Sequence, residues 1–488
     1  MGILPMSTTG ILPVQNVEEA GARRPCDSRA RCPCYAERPS STGCYGQWIY
    51  KDPNSFAGWV TGHWVGCLWW QYDRTRDGNM LQAAKDWTNG MEFVKNNPLD
   101  ADIGFRFMNS FYLAQKLLDD TTDPGRTYRD HAKAVLIQAA TGLDTWYNRG
   151  GIPVGELSAA LNDPVTGWNQ PYGVNVDMMM NISLLFEGWK QSGSPATGTP
   201  KTWYDHAVSH ALKTLEQNVR RFDSNSPRFA DNGSTYHTVH HNNGYGGLPA
   251  DGNVCAKRTL QGFGNESTWA RGQAWAVYGY TQTYSYTRDD PDANVGRTFL
   301  DAACLTADYF LSHLPNNYTA DWYNTRLGDF VPPGDFDAAL GEPNGPWNDA
   351  DKNKVYGDRL AGTHAFVARD TSAASIAASA LLELSEFVTD PNLRTTYFDA
   401  AEDILWCLMT YDANGDGQLD YLARDSDHMG ILAAGTSRWD SPQQSLIFGD
   451  YYFLEALARY EAIPEPATAA LLLACLGGVL LRRRRRET

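Results

Sequence analysis

The sequence predicts an all-α fold, a closed ring of paired helices, and two observations support it. Apolar residues recur at helical spacing in about eleven segments between Gly58 and Tyr460, which is typical of amphipathic helices. No stretch alternates apolar and polar residues for long enough to build a central sheet. So many helical hairpins in one chain of 488 residues, with no evident linker, favour a single large architecture.

The segments with helical periodicity are separated by loops rich in Gly, Asn, Asp and Pro. In chain order they are Trp59–Tyr72, Met80–Lys95, Phe105–Leu118, Tyr128–Trp146, Val176–Trp189, Trp203–Val219, Trp269–Tyr286, Val295–Leu314, Ser372–Phe387, Leu393–Met409 and Ser445–Tyr460. The longest loops are Phe222–Glu266 and Leu327–Ala368. Because long loops in a compact domain are usually functional, we expect the chemistry where these loops converge.

The composition excludes two classes of protein. Hydrophobic residues make up 42% and charged residues 20%, which excludes a wholly disordered chain. The net charge of −16 argues against nonspecific binding to a nucleic-acid backbone, which needs a basic surface. The chain also contains 16 Trp, 25 Tyr and 18 Phe, and such side chains suit both helix packing and stacking on sugar rings.

Three regions follow from this pattern. Residues 1–48 are an N-terminal extension that we expect to be disordered, and they contain no apolar run of signal-peptide length. Residues 49–461 are the helical domain. Residues 462–488 are a tail in which Pro464-Glu-Pro466 precedes a fifteen-residue apolar segment and five consecutive arginines.

The tail resembles the PEP-CTERM sorting signal of exported bacterial proteins in the order of its parts. Its apolar segment would span about 22 Å as a helix, which approaches the roughly 30 Å of a bilayer core. Arginines directly after such a segment favour the cytoplasmic side. The resemblance implies export to the cell surface or extracellular matrix, with transient membrane insertion and sorting and processing machinery as partners.

Two aspartates stand out as candidates for acid–base chemistry. Asp102 opens one predicted helix, where a carboxylate interacts favourably with free amides and the helix dipole, so it could equally be purely structural. Asp177 begins a strongly apolar helix and is followed by three methionines. Desolvation there would raise its pKa towards the range where it can donate and accept protons near neutrality.

The densest group of polar and aromatic residues lies between Gln261 and Trp275. Trp269 and Gln273 are four residues apart and share a helical face, with Arg271 on another. Arg271 could pair with a substrate carboxylate in bidentate fashion. The alternative is a buried arginine whose guanidinium is satisfied by backbone carbonyls.

One loop has the start of a calcium-binding pattern, with oxygen ligands at alternate positions and Gly at the sharp turn. The candidate ligands are Asp412, Asn414, Asp416 and Asp420. The twelfth position is Ala423 rather than a bidentate Glu, so the site would be incomplete. The loop therefore has two interpretations: a structural calcium site, or a turn whose backbone is capped by its own Asp side chains.

The stretch from Trp269 to Trp275, Trp-Ala-Arg-Gly-Gln-Ala-Trp, resembles the signature of unsaturated glucuronyl hydrolases, glycoside hydrolase family 88. Further motifs in the same order extend the resemblance from Trp59 to Tyr460. They are Trp59-Val-Thr-Gly-His-Trp64, Asp102-Ile-Gly-Phe105, Asp177-Met-Met-Met-Asn181, Ser234-Thr-Tyr-His237, Asp335-Phe-Asp337, Asp370-Thr-Ser-Ala-Ala-Ser375 and Phe448-Gly-Asp-Tyr-Tyr452.

The resemblance implies an (α/α)6 barrel and a substrate with a 4,5-unsaturated uronic acid at its non-reducing end, left by polysaccharide lyases. Asp177 matches the family's general acid and base, and Asp102 matches its partner aspartate. The matching substrate-binding positions are Trp59, His237, Gln261, Trp269, Arg271 and Trp275. The implied chemistry is hydration of a vinyl ether, in which Asp177 protonates C4 and then activates water for attack on C5, with no metal or cofactor required.

Two alternatives remain at this stage. Unsaturated rhamnogalacturonyl hydrolases share the barrel and the aspartate pair, although the ending Gln273-Ala-Trp275 favours the glucuronyl group. A surface glycan-binding protein without turnover would keep the aromatic cleft, but the presence of both aspartates argues against it.

Overall fold

The computed structural model describes twelve ranges of the chain. They are residues 32–35, 48–51, 56–96, 101–159, 172–221, 232–247, 249–314, 330–339, 368–411, 419–423, 430–439 and 444–463. The helices within them are, in chain order, α1 (Thr61–Thr75), α2 (Gly78–Asn89), α3 (Ile103–Phe107), α4 (Leu113–Leu117), α5 (Thr127–Asp144), α6 (Met178–Asn181), α7 (Ser183–Gln191), α8 (Thr199–Gln217), α9 (Ala270–Thr287), α10 (Ala293–Ser312), α11 (Phe336–Ala339), α12 (Thr371–Phe387), α13 (Pro391–Thr410) and α14 (Ile447–Ala462).

An inner ring of helices surrounds the barrel axis. It is formed in order by α1, α3–α4, α6–α7, α9, α12 and α14, each of which contacts the next, and α14 closes the ring on α1. These helices are buried on nearly all faces. In α12, for example, fourteen of the seventeen residues are buried, as expected for a helix that is apolar or small-residue-rich all round.

An outer layer of longer amphipathic helices covers the inner ring. Within the described ranges these are α2, α5, α8, α10 and α13, and each packs on the inner helix next to it in sequence. The buried residues of α5 include Ala132, Val135, Leu136, Ala139, Ala140 and Leu143, a spacing that gives one apolar face. The alternation of inner and outer helices is that of an (α/α)6 barrel, which confirms the predicted fold class.

All eleven predicted segments are helical, but the described ranges contain fourteen helices, because two of the segments are divided in two and α11 lies in the loop predicted at Leu327–Ala368. The segment predicted as Phe105–Leu118 contains a π-helical turn, Met108–Tyr112, between α3 and α4. The segment predicted as Met80–Lys95 ends as an α-helix at Asn89, because Asn-Gly is a poor helix former, and continues as a 3-10 turn over Glu92–Asn96. A break at Ile182 divides α6 from α7.

Two small antiparallel sheets lie at the edge of the barrel. Strands β1 (Cys32–Tyr35) and β2 (Trp48–Lys51) form one, so part of the predicted N-terminal extension is a strand. The other has the order β3–β4–β5, with β3 at Tyr172–Asn175, β4 at Thr238–His241 and β5 at Val254–Arg258. The expectation that no central sheet forms is met in the described ranges, since these strands have at most five residues.

Several sequence predictions fall on other parts of the chain. The tail from residue 464 onwards lies outside the described residues, as do Asp412, Asn414 and Asp416 of the calcium-like loop. Asp420 is described, and its backbone N–H donates to the Tyr411 carbonyl at 2.9 Å. Among the described residues, no group of three or more His, Cys, Asp and Glu side chains is placed to hold a metal ion. None of the helices in these ranges is both long enough and apolar enough to span a bilayer.

Candidate active site

The small β3–β4–β5 sheet brings the first two site residues together. Strand β3 ends at Asn175, which pairs with Thr238 of β4, and the chain then turns into α6. The pairing continues one step further, because the Val176 N–H donates to the His237 carbonyl at 2.9 Å. Asp177 at the start of α6 therefore lies beside His237 at the start of β4.

Asp177 and His237 face each other with unpartnered polar atoms. The Oδ2 atom of Asp177 is 3.7 Å from Nε2 of His237, too far for a good hydrogen bond. Neither atom has a hydrogen-bond partner within the described residues. Asp177 occupies the N-cap position of α6 but its carboxylate caps no amide of that helix. The Oδ2 oxygen is therefore not used structurally, although the Asp177 backbone N–H contributes a hydrogen bond to the carboxylate.

Burial shifts the pKa values of these two groups in opposite directions. Desolvation raises the pKa of Asp177 to about 6, and the positive charge of Arg271 opposes that shift. Its side chain keeps 21% exposure, so solvent still reaches a carboxyl that has lost most of its hydration. Desolvation lowers the pKa of His237 to about 3, helped by Arg271 and His240, and the imidazole is neutral at pH 7.

The hydrogen bonds of the imidazole determine which nitrogen of His237 carries the proton. Its Nδ1 lies 3.0 Å from the Thr259 hydroxyl and accepts from the Leu260 backbone N–H at 3.4 Å. The Thr259 oxygen in turn accepts from the Gly262 N–H at 2.7 Å, so its own proton is free to point at His237. Since Nδ1 is an acceptor, the proton of the neutral ring is on Nε2. His237 thus presents an N–H donor towards Asp177.

The second aspartate joins the site through an asparagine on α6. Asp102 occupies the N-cap position of α3 and, like Asp177, makes no side-chain cap. The Nδ2 of Asn181 donates to Oδ1 of Asp102 at 2.9 Å. Asn181 lies one helical turn after Asp177. The two candidate carboxylates are therefore connected through one turn of α6, although they are 75 residues apart in sequence.

Aromatic rings continue from His237 around the site. The Trp269 ring lies 4.6 Å from His237, and Trp59 stacks on Phe448 with ring centroids 5.2 Å apart. Trp59 also contacts Phe105, at 5.3 Å between centroids. The guanidinium of Arg271 lies over the Trp269 ring at 4.5 Å and over Phe448 at 4.9 Å, so it joins the two aromatic pairs.

Arg271 itself is buried and held on several sides. Its Nη1 donates to Oδ2 of Asp370 at 2.8 Å and to the Thr436 carbonyl at 2.6 Å. Its Nη2 donates to the Ser437 carbonyl at 2.7 Å. With only 2% exposure, the guanidinium is not open to bidentate pairing with a substrate carboxylate. The alternative of a buried arginine satisfied by carbonyls is the one that the structure supports, with Asp370 added.

The two remaining predicted residues occupy different surroundings. Gln261 lies on the loop before α9, and its Nε2 donates to the Ser437 carbonyl at 3.4 Å, beside Arg271. Trp275 is 1% exposed and packs between Phe105 and Tyr452, with ring centroids 5.3 Å from each. Trp275 therefore belongs to the barrel core behind the site, not to an open aromatic wall.

Several residues that the structure places in the site have no role predicted from the sequence. They are Phe105, Asn181, Thr259, Asp370 and Phe448. Four of the five lie within motifs quoted above, so their positions were visible but their contacts were not. Asp370 carried one further signal, because an Asp before Thr-Ser is typical of a helix N-cap, and its carboxylate does accept from the Ser372 N–H.

Comparison with known proteins finds relatives that align with most of this chain. The chain is 31% identical over 427 residues to an unsaturated glucuronyl hydrolase of Formosa agariphila, covering 86% of this chain and 84% of the relative. It is 28% identical over 421 residues to an unsaturated glucuronyl hydrolase of Bacillus sp. GL1, with 84% and 87% covered. It is 26% identical over 425 residues to an unsaturated chondroitin disaccharide hydrolase of Streptococcus agalactiae, with 84% and 83% covered.

Solved structures give the same picture of the fold. An unsaturated glucuronyl hydrolase specific for heparin superposes with a TM-score of 0.64 at 25% identity, covering 93% of this chain and 96% of that one. The enzyme from Bacillus sp. GL1 superposes with a TM-score of 0.63 at 23% identity, with 92% and 93% covered. No protein-family model matches the chain.

Proposed function

The chain belongs to the unsaturated glucuronyl hydrolases, and we propose that Asp177 is the general acid and base with which it hydrolyses its substrates. It is a glycoside hydrolase that acts on oligosaccharides with a 4,5-unsaturated uronic acid at the non-reducing end. Polysaccharide lyases leave such ends. The family membership rests on the relative that is 31% identical over 427 residues.

One observation carries the assignment of Asp177. Oδ2 of Asp177 and Nε2 of His237 are both buried, both without partners among the described residues, and 3.7 Å apart. Burial without a hydrogen bond is costly, so such pairs are retained mainly where a ligand completes them. The raised pKa of Asp177, about 6, leaves part of the population protonated near neutral pH.

The first chemical step is protonation of the double bond. The ring oxygen pushes electron density through the C4=C5 bond, and C4 takes the proton from the carboxyl of Asp177. The positive charge is then shared between C5 and the ring oxygen, and Asp177 is left as a carboxylate. The N–H of His237 donates to an oxygen of the uronyl group, which orients the ring for proton transfer.

The second step adds water. A water molecule attacks C5 while the Asp177 carboxylate takes one of its protons, so the residue returns to its starting state. The product is a hemiketal, which opens at the C5–ring oxygen bond to give a ketone. The hemiacetal this leaves at C1 then collapses, releasing the remaining sugar as the alcohol. One water is consumed and one group acts as both acid and base.

The charges around Asp177 suit these two chemical steps. Arg271 opposes the burial-induced rise in the pKa of Asp177, which keeps that pKa from rising further and preserves the carboxylate needed in the second step. Burial, helped by the same charge, keeps His237 neutral down to about pH 3, so the ring adds no further positive charge beside Asp177. Arg271 therefore acts on the reaction through its field and not by direct pairing.

The alternatives from the sequence are less well supported. The relatives named above are glucuronyl and chondroitin disaccharide hydrolases, which favours the glucuronyl assignment over the rhamnogalacturonyl one. A protein that only bound glycans would gain nothing from a buried carboxyl with a raised pKa and an unpartnered oxygen.

The test follows the conjugated double bond of the substrate. Disaccharides produced by a lyase from chondroitin or heparin absorb in the ultraviolet through that bond, and the wild-type chain should abolish the absorbance. Asp177→Asn should leave it unchanged while still binding the disaccharide, because the change removes the titratable group and keeps the shape. Full turnover by Asp177→Asn would contradict the assignment, and no loss of absorbance with the wild-type chain would contradict the function.

The proposed chemistry uses only Asp177 and water for proton transfer, so it needs no cofactor. Activity should survive dialysis against a chelator. The calcium-like loop at residues 412–420 is a separate, structural candidate, and calcium binding there would raise the melting temperature of the chelator-treated protein. An unchanged melting temperature on adding calcium would instead favour a self-capped turn.

We further propose that the segment after residue 463 directs export. Its Pro-Glu-Pro motif, apolar run and terminal arginines support the proposal. In a bacterium that carries the corresponding sorting machinery, the full chain should reach the cell surface or matrix with the tail removed. A chain ending at Ile463 should not be sorted in that way. Equal distribution of both chains between cell fractions would contradict the proposal.

A further inference from the structure

Asn181 is a fully buried amide whose two ends both bond to the segment that begins at Asp102. Its exposure is 0%. Its Nδ2 donates to Oδ1 of Asp102 at 2.9 Å, with a weak further contact to the Met178 sulfur at 3.6 Å. Its Oδ1 accepts from the backbone N–H of Phe105 at 3.0 Å. One side chain therefore fixes both the carboxylate and the first turn of α3.

The chemistry of the partners fixes the orientation of the amide. A backbone N–H is only a donor, so the group that faces Phe105 has to be the amide oxygen. The amide nitrogen then faces Asp102, where it donates one of its protons to the carboxylate. A flipped amide would place donor against donor and acceptor against acceptor.

Close backbone packing holds Asn181 in this place. A Cβ atom added to Gly104 would lie 2.4 Å from the Asn181 Cα and 2.6 Å from its carbonyl oxygen. The helices α3 and α6 thus touch through backbone atoms at this crossing, which only glycine allows. The backbone of Asn181 cannot move away from Asp102 without moving α6, the helix that begins just after Asp177.

We propose that Asn181 is a positioning residue for the reaction, acting through Asp102 by holding its carboxylate in a fixed place relative to Asp177. The inference rests on the proposed function for its catalytic consequence, but the hydrogen bond itself is independent of that function. Asn181 touches no reacting atom in this account.

The bond also gives the two carboxyl groups different surroundings. An N–H that donates to a carboxylate stabilises its charged form, whereas Asp177 has an oxygen with no donor and is desolvated. Burial raises the pKa of Asp177 to about 6, and Asp177 is the group that carries the proton in the proposed reaction.

A double-mutant cycle on Asp102 and Asn181 tests the proposal. Asn181→Asp keeps the acceptor for Phe105 but replaces the donor with a second carboxylate. Loss of a hydrogen bond to a charged group changes an equilibrium by about 10- to 100-fold, and kcat should fall by about that factor with KM within about twofold. In an Asp102→Asn background the same change should alter kcat by less than about twofold, because the carboxylate that Asn181 positions is already absent.

Additive effects on kcat in the two backgrounds would overturn the proposal, since Asn181 would then act by some route other than Asp102. A fall confined to KM would overturn it as well, because that would indicate direct substrate binding. Asn218→Asp is a matched control: Asn218 is also 0% exposed, but its Nδ2 donates to a backbone carbonyl, at 3.3 Å from Tyr236. This control should lose stability without the dependence on Asp102.

A second readout needs no substrate. At pH 8, Asn181→Asp should lower the melting temperature by about 3 to 6 °C through repulsion with Asp102. The double variant with Asp102→Asn exchanges donor and acceptor, and its melting temperature should recover to within about 2 °C of the wild type while its kcat stays at the level of Asp102→Asn. No recovery would overturn the inference. Inactivity of the wild-type chain with recovery intact would instead overturn the proposed function alone.

Discussion

The two walls of the candidate site differ in whether their polar groups have hydrogen-bond partners. On the wall made by β4 and α6, Oδ2 of Asp177 and Nε2 of His237 have no partners in the described part of the chain. On the other wall, at the starts of α9 and α12, Arg271 is held by Asp370 and two backbone carbonyls at 2.6 to 2.8 Å. The difference indicates that the first wall is left open for a ligand and for proton transfer, whereas the second supplies a fixed charge.

The largest expected effect comes from removing the titratable group of the open wall. Asp177→Asn should lower kcat by at least about 10³-fold, since proton transfer by a positioned side chain contributes about 10²- to 10⁴-fold and both steps use it here. Its melting temperature should not fall, because no hydrogen bond of Oδ2 is lost. Steady-state kinetics with lyase-derived disaccharides and thermal unfolding measure the two quantities.

Asp335 gives the contrasting variant. Its carboxyl is also buried with a pKa raised to about 6, but it accepts from Ser267 and from the Phe263 N–H. Asp335→Asn should therefore destabilise the protein, unlike Asp177→Asn. Equal losses of stability in the two variants would remove the distinction between an open and a satisfied carboxyl.

A change on the wall that holds Arg271 should alter the stability of the protein. Asp370→Ala removes the partner of a guanidinium that is 2% exposed and leaves an uncompensated buried charge. Breaking a buried pair in this way costs about 3 to 5 kcal/mol of unfolding free energy, measurable by urea denaturation. A loss below about 1 kcal/mol would show that the two carbonyls suffice to hold Arg271.

His237 is the second group of the open wall and its effect should be smaller. His237→Ala removes one N–H donor from the site, and kcat/KM should fall by about 10- to 100-fold. The fall should be the same at pH 5 and pH 7, because the pKa of His237, about 3, leaves the ring neutral at both. A loss that appears only below pH 6 would mean that the charged imidazole is the active form.

The smallest effect is a pH dependence of stability. Burial raises the pKa of Asp177 from 3.8 to about 6, so protonation of Asp177 stabilises the folded state. This stabilisation is fully present below pH 3.8 and is lost as the pH rises through about 6. Relative to the wild type, Asp177→Asn should be more stable by about 2 kcal/mol at pH 8 and equally stable at pH 4. A difference that does not change with pH would place the pKa of Asp177 near its ordinary value.

The sequence predicted local features well because they depend on local patterns. Helical periodicity located the barrel helices, and turn chemistry before apolar runs located Asp102 and Asp177 at helix starts. The motif after Gln261 located Trp269 and Arg271, both of which lie beside His237 or its aromatic neighbours.

The contacts between distant segments could not be predicted in the same way. Arg271 and Asp370 are 99 residues apart, and nothing in the spacing of either indicates the other. The bond from Asn181 to Asp102 spans 79 residues and depends on the helix crossing at Gly104. The burial of Trp275 depends on which face of α9 meets Phe105, which a helix buried on all faces does not reveal.

The most direct test of the central claim is hydrolysis of an unsaturated disaccharide in D2O, followed by NMR of the product at early times. Proton delivery from Asp177 to one face of the double bond predicts a single deuterium at C4, in one configuration, with one sugar released for each double bond lost. Release of a sugar with its C4=C5 bond intact would contradict vinyl-ether hydration. Equal deuterium in both configurations at C4 would contradict delivery by a positioned side chain.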